Sequence, residues 1–246
     1  MRTFAGKTYW LVGASEGLGR ALATKLAAAG ATVIVSARNA DALAELAASL
    51  PHGARAVAVD VADRASVVAA AEQVGSVDGL VWLAGVYWPM PAQDWNPEQV
   101  EAMFDINLTG AARVLGQIVP AMVKRGSGHV VITGSLSGYR GLPGSVGYSS
   151  SKAGVMHLAE ALYCDLRGTG VDVQLANPGF IRTRLTEKNN FNMPFLMEPD
   201  GAAEEMMTLM RSGKFQRAFP RLFSLFFRGG NFLPDWAYYR VFAPKG

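Results

Sequence analysis

Short apolar runs alternate with longer amphipathic stretches through most of this chain. Tyr9 to Val12, Ala31 to Ser36, Arg55 to Val59, Gly79 to Leu83 and the run Val130, Val131, Ile132 read as buried strands. Between them, Arg20 to Ala29, Asp41 to Leu50 and Ala65 to Val74 read as helices. From Pro97 to Lys124, Val100, Met103, Phe104, Leu108, Ala111, Val114, Leu115, Ile118 and Met122 recur at helical period, which predicts one helix with a single core-facing stripe. Strand and helix repeating at this spacing predict a single α/β domain over residues 1–246, a doubly wound parallel sheet in three α/β/α layers.

The polar punctuation falls at the strand ends. Gly13, Ser15, Glu16, Gly17, Leu18 and Gly19 lie in a tight turn between the first strand and the first helix. Glycines there let the backbone approach a pyrophosphate, whose charge meets the free N–H groups of the helix N-terminus, as in a Rossmann dinucleotide site. Past the second strand stand Ala37 and Arg38 with no acid; an Arg there accommodates a 2′-phosphate, so NADP(H) is expected over NAD(H). Asp60-Val61 and Ala84-Gly85 close the next two strands, and ligands in such sheets bind beyond these ends.

Ser135 follows the last of the apolar runs, Tyr148 lies thirteen residues on, and Lys152 four after that. With a helix starting near Val146, Tyr148 and Lys152 share one face, as an ordinary exposed helix pair also would. A phenol titrates near 10, and an adjacent ammonium is expected to lower it towards the working range. A hydroxyl, a phenol and a cation converging on one oxygen suit hydride chemistry at a carbonyl or carbinol carbon. Asn107 interrupts the apolar stripe of its helix, and a buried amide needs its hydrogen bonds met. It would either relieve a strained turn, hold a water linked to the Lys152 ammonium, or do both.

These motifs together resemble the short-chain dehydrogenase/reductase family over roughly residues 5–185, extending to Pro178, Gly179, Ile181 and Thr183. The resemblance implies a Rossmann fold, Tyr148 as general acid/base, Lys152 lowering its pKa and binding the nicotinamide ribose, Ser135 orienting the substrate oxygen, and Asn107 supporting a water relay. Pro178 to Thr183 would then wrap the nicotinamide end, and a homo-oligomer is implied as common among relatives. Two positions depart from the family pattern: Val12 where Thr is usual and Leu83 where Asn is usual.

Composition changes the picture mainly at the end of the chain. Half the residues are hydrophobic and 17% charged, which fits one compact core. The single Cys164 and the three scattered histidines exclude a disulfide and give no metal-ligand spacing. No run of apolar residues is long enough to span a bilayer and no cleavable leader is legible, so a cytoplasmic location is expected. Residues 184–213, with Phe191, Met193, Phe195 and Met197, are expected to form an apolar substrate lid. From Met206 onward seven Lys or Arg face one acid, Asp235, so this part contributes +6 and the rest −3 to a net charge of +3. Aromatic residues are interleaved with those cations in an irregular helical extension over 214–246, which would cover the pocket, meet another subunit or lie on a membrane surface. No nucleic-acid motif is present. The expected function is NADP(H)-dependent interconversion of an apolar carbonyl and its alcohol; a nucleotide-binding sensor or scaffold is the alternative.

Overall fold

In the computed structural model, which describes residues 1–242, seven strands form one parallel sheet in the order β3-β2-β1-β4-β5-β6-β7. They are β1 (Thr8–Val12), β2 (Thr32–Ser36), β3 (Arg55–Ala56), β4 (Gly79–Trp82), β5 (Gly128–Thr133), β6 (Val171–Pro178) and β7 (Gln216–Phe219). The helices are α1 (Gly17–Ala28), α2 (Ala40–Ser49), α3 (Arg64–Val74), α4 (Pro97–Phe104), α5 (Gly110–Arg125), α6 (Val146–Asp165), α7 (Pro199–Arg211), α8 (Arg221–Gly230) and α9 (Asp235–Phe242).

Because successive strand side chains point to opposite faces, the central strands feed two cores. Trp10, Val12, Ile34, Leu80, Trp82, Val130 and Ile132 face α3, α5 and α6, whereas Tyr9, Leu11, Val33, Val35, Val81 and Val131 face α1, α2 and α7. Burial on both faces explains the unbroken apolar runs. The order reverses between β1 and β4, so a crevice opens at their C-terminal ends.

Four expectations need correction. The helix from Pro97 is not continuous: Asp105–Thr109 forms a π-helical turn between α4 and α5, which rotates the stripe and carries Asn107 into the interior. The span expected as a loop does not run to residue 213, because Ala202, Ala203, Met206, Met207, Leu209 and Met210 repeat at helical period and are buried as α7 beside α1. Lys25 of α1 fastens that contact through Asp200 at 2.9 Å and Glu204 at 3.4 Å. The extension is not wholly irregular and helical, since Gln216–Phe219 completes the sheet as its edge strand. Finally, the Pro97–Arg125 run is long and apolar enough by composition to cross a bilayer, yet Val100, Met103, Ala111, Val114, Leu115, Ile118 and Met122 are buried in the protein.

At the opposite end of the sheet, a buried polar cluster ties the N-terminus down. The Gln174 amide nitrogen faces the carbonyls of Leu209, Ser212 and Lys214, so its Oε1 accepts from His129 Nε2 at 2.9 Å and the Tyr9 hydroxyl donates to Nδ1 at 2.9 Å. Burial, with the Arg2 guanidinium beside it, pushes the His129 pKa down to about 3 and keeps the ring neutral.

Candidate active site

Two cavities meet at the C-terminal ends of the central strands. The larger, about 660 Å3, runs from the glycine turn past Arg38 and Asp60 to Lys152 and Thr183. The smaller, about 450 Å3, is lined by Met90, Leu142, Phe180, Phe191, Phe223 and Phe227 among others. Ser135 and Tyr148 line both and stand at their junction.

The larger cleft is shaped by close backbone approach. Gly13 has φ +97, and a Cβ on it would lie 2.4 Å from the Ala84 nitrogen, so the β1 turn and the end of β4 touch main chain to main chain. Gly17, at φ +53, would place a Cβ 2.7 Å from Thr183 Cγ2. No side chain caps the α1 N-terminus and its first turn holds no acid, leaving free N–H groups beside the cleft for an anion. Arg38 lies exposed just past β2 and forms no side-chain bond among the described residues, while Asp60 turns its carboxylate onto the Ala62 nitrogen at 3.0 Å. Glu16 and Arg184 pair at 2.8 Å across the cleft mouth. These residues fit an extended dinucleotide whose pyrophosphate lies at the α1 N-terminus. Ser15, Leu18, Val61, Ala84, Gly85, Pro178, Gly179 and Ile181 all line the same cleft.

At the junction, α6 starts at Val146 and presents Tyr148 and Lys152 one turn apart. Lys152 is buried, donates from Nζ to the Thr133 carbonyl at 3.1 Å, and holds Nζ 5.8 Å from the Tyr148 ring centroid. Burial pushes the Lys152 pKa down to about 8. Burial pushes the Tyr148 phenol up to about 12, against the opposing pull of the Ser135 hydroxyl. Burial thus sets the direction of the Tyr148 shift opposite to the one expected from an adjacent ammonium, and both groups are protonated at neutral pH. Ser135 in turn accepts from the Ser137 hydroxyl at 2.9 Å and the Ser137 amide at 3.2 Å, which hold its oxygen in place.

Asn107 is fully buried, and its amide makes three bonds: Oδ1 accepts from Val86 N at 2.7 Å, and Nδ2 donates to Val86 O at 3.0 Å and Ser151 Oγ at 3.0 Å. A Cβ on Gly85 would lie 3.3 Å from Asn107 Oδ1 and 3.6 Å from Lys152 Nζ, so Asn107 and Lys152 flank the same glycine. Its side chain clamps the segment leaving β4 to α6. Leu83, at the usual Asn position, packs with the α1 side of the core and keeps its amide on Val12 O at 2.8 Å.

Sequence reasoning missed Tyr87, whose ring packs edge-on to Tyr148 at 4.8 Å and whose hydroxyl donates to Asn189 at 3.0 Å. Lys188 reaches the Tyr87 carbonyl at 2.8 Å and lies 4.5 Å over the Trp88 ring, so the loop after Thr183 is strapped to the β4 exit. Its only sequence signal is an aromatic residue two positions past Gly85.

Comparison with known proteins agrees with this arrangement. A family model described as short chain dehydrogenase matches residues 7–193. An uncharacterized oxidoreductase of Myxococcus xanthus is 38% identical over 242 residues, 96% of each chain. A 3-oxoacyl-[acyl-carrier-protein] reductase of Thermotoga maritima is 32% identical over 217 residues, 85% of each. The crystal structure of a short-chain dehydrogenase from Streptomyces avermitilis superposes with a TM-score of 0.86 at 28% identity, covering 96% of both chains.

Proposed function

The chain belongs to the short-chain dehydrogenase/reductase family, and from that premise we propose that it interconverts an apolar carbonyl compound and its alcohol with NADP(H). The observation carrying this reading is the placement of Ser135 and Tyr148 at the junction of a dinucleotide-sized cleft and an apolar cavity. When bound, the nicotinamide supplies or accepts the hydride. In the reducing direction Tyr148 gives its phenolic proton to the substrate oxygen, and Ser135 hydrogen-bonds and orients that oxygen. Lys152, held by Thr133 O, keeps a cation beside the phenol and steadies the negative charge left on it. Tyr87 and the loop strapped to it keep water from the reacting oxygen.

The unpaired Arg38 and the lack of an acid at positions 37–39 support a 2′-phosphate and hence NADP(H). Phe180, Phe191, Phe223 and Phe227 in the smaller cavity support an apolar substrate, a reading in keeping with a relative that reduces 3-oxoacyl groups. The test measures NADPH and NADH binding, then oxidation of each with a panel of apolar ketones and aldehydes, for wild type and Tyr148→Phe. Turnover of one apolar carbonyl with NADPH, lost in the variant while binding persists, supports the reading. Preference for NADH, or faster turnover of small polar sugars, overturns its finer part. Nucleotide binding that Tyr148→Phe leaves unchanged, with no turnover of any carbonyl, favours a sensor.

A further inference from the structure

The two C-terminal helices leave an apolar face uncovered. Among the described residues, Leu222, Leu225, Phe226, Phe232, Trp236 and Val241 are exposed within twenty positions, Phe232 at 90% and Trp236 at 74%. Scattered surface hydrophobics are ordinary, but a cluster of this kind marks a contact surface. It is not a loose tail. Arg140 donates to the carbonyls of Gly230 at 2.9 Å and Leu233 at 2.8 Å, pairs with Asp235, and stacks 4.0 Å from the Tyr238 ring. Tyr238 is buried and donates to Gly141 O at 2.9 Å, so α8 and α9 are pinned to the loop before α6.

The charge around this face is one-sided. Arg221, Leu225 and Arg228 follow at i, i+4 and i+7 and form one stripe of α8, beside Leu222 and Phe226. Arg221, Arg228 and Arg240 are exposed and form no ion pair among the described residues, and Asp235, the one acid from Met206 onward, is taken by Arg140. Amphipathic helices with a cationic edge and Trp or Phe on the apolar face lie in the headgroup region of a bilayer. Exposed cations beside an apolar patch favour anionic lipid over a second copy of this chain, whose same patch would bring like charges together. We propose that the α8–α9 face docks on an anionic membrane surface.

The docking face and the smaller cavity share a wall. Phe223 and Phe227 of α8 line the cavity from within while Leu222, Leu225 and Phe226 face outward. Phe195, half exposed, packs on Phe223 at 5.4 Å, continuing the aromatic surface from α8 to the lid. A docked molecule would thus bring the aromatic wall of its apolar cavity to the lipid. The docking itself does not depend on the hydride-transfer reading.

The test is flotation of the full-length protein with vesicles of phosphatidylcholine alone and of phosphatidylcholine mixed with phosphatidylglycerol. Binding to the mixed vesicles only is expected, weakened by raised salt and reduced at least about tenfold in Arg221→Glu/Arg228→Glu. Phe226→Ser/Trp236→Ser, on the same surface but without a charge change, is expected to reduce it as well; circular dichroism melts establish that both variants fold. Failure to bind the anionic vesicles, equal binding to both kinds, or binding unaffected by salt overturns the proposal without touching the catalytic reading. Light scattering supplies the remaining outcome: a wild-type dimer dissolved by the same substitutions, with no vesicle binding, assigns the face to a second copy instead.

Discussion

Removing the Tyr148 hydroxyl tests the protonation state of the site most directly. Burial raises the phenol from 10.0 to about 12, and two pKa units correspond to roughly 3 kcal/mol against the phenolate. At pH 7 the gap is about five units, so roughly one molecule in 10^5 carries the phenolate before any ligand binds. Lys152, lowered to about 8, therefore releases its proton first as pH rises. The assay is a near-ultraviolet absorbance titration of the nucleotide-free protein, subtracting the Tyr148→Phe variant to isolate one phenol among seven tyrosines. No phenolate is expected in the difference below about pH 11. Carbonyl reduction, which uses the protonated phenol, is expected to be level with pH until the Lys152 ammonium is lost above about 8. A difference band rising near about pH 8 or 9 would show that Lys152 overcomes desolvation, and would refute the assignment.

His129 is neutral in the fold down to about pH 3, against 6.5 for a free ring. The unfolded chain thus binds one more proton in that window, and stability is full above about pH 6.5 and falls by up to about 1.4 kcal/mol per unit below it; denaturant unfolding across pH, with His129→Gln flattening the slope, checks this. Gly19→Ala puts a methyl 2.1 Å from the Gly13 carbonyl oxygen, a backbone atom that cannot move aside, and is expected to abolish nucleotide binding in a calorimetric titration. Gly116→Ala, on an exposed part of α5 with nothing within 4 Å, is the control and should raise stability by roughly 0.5–1 kcal/mol in a thermal melt. Arg38→Asp should weaken NADPH binding by about 10- to 100-fold, the worth of a charged hydrogen bond, and leave NADH binding within a few-fold.

Much of the fold is legible in sequence because a parallel sheet buried on both faces demands short apolar runs with glycine or polar punctuation at their ends. The same punctuation locates Gly13, Arg38, Asp60, Gly85 and Ser135 on one edge of the sheet, and the spacing of Tyr148 and Lys152 needs only the period of a helix. Those features are local, and local periodicity reports them. The π turn at Asn107, the burial of α7 and the pairing of β7 depend instead on neighbours far away in sequence: Val86 and Ser151 for the amide, α1 for the methionines, β6 for the edge strand. The 184–213 span expected as a lid takes in those methionines only because no window of sequence contains the surface they cover. The direction of the Tyr148 shift was likewise out of reach. An i,i+4 pair tells that a cation lies nearby, but desolvation is set by everything packed around the phenol, and only the tertiary structure supplies that packing.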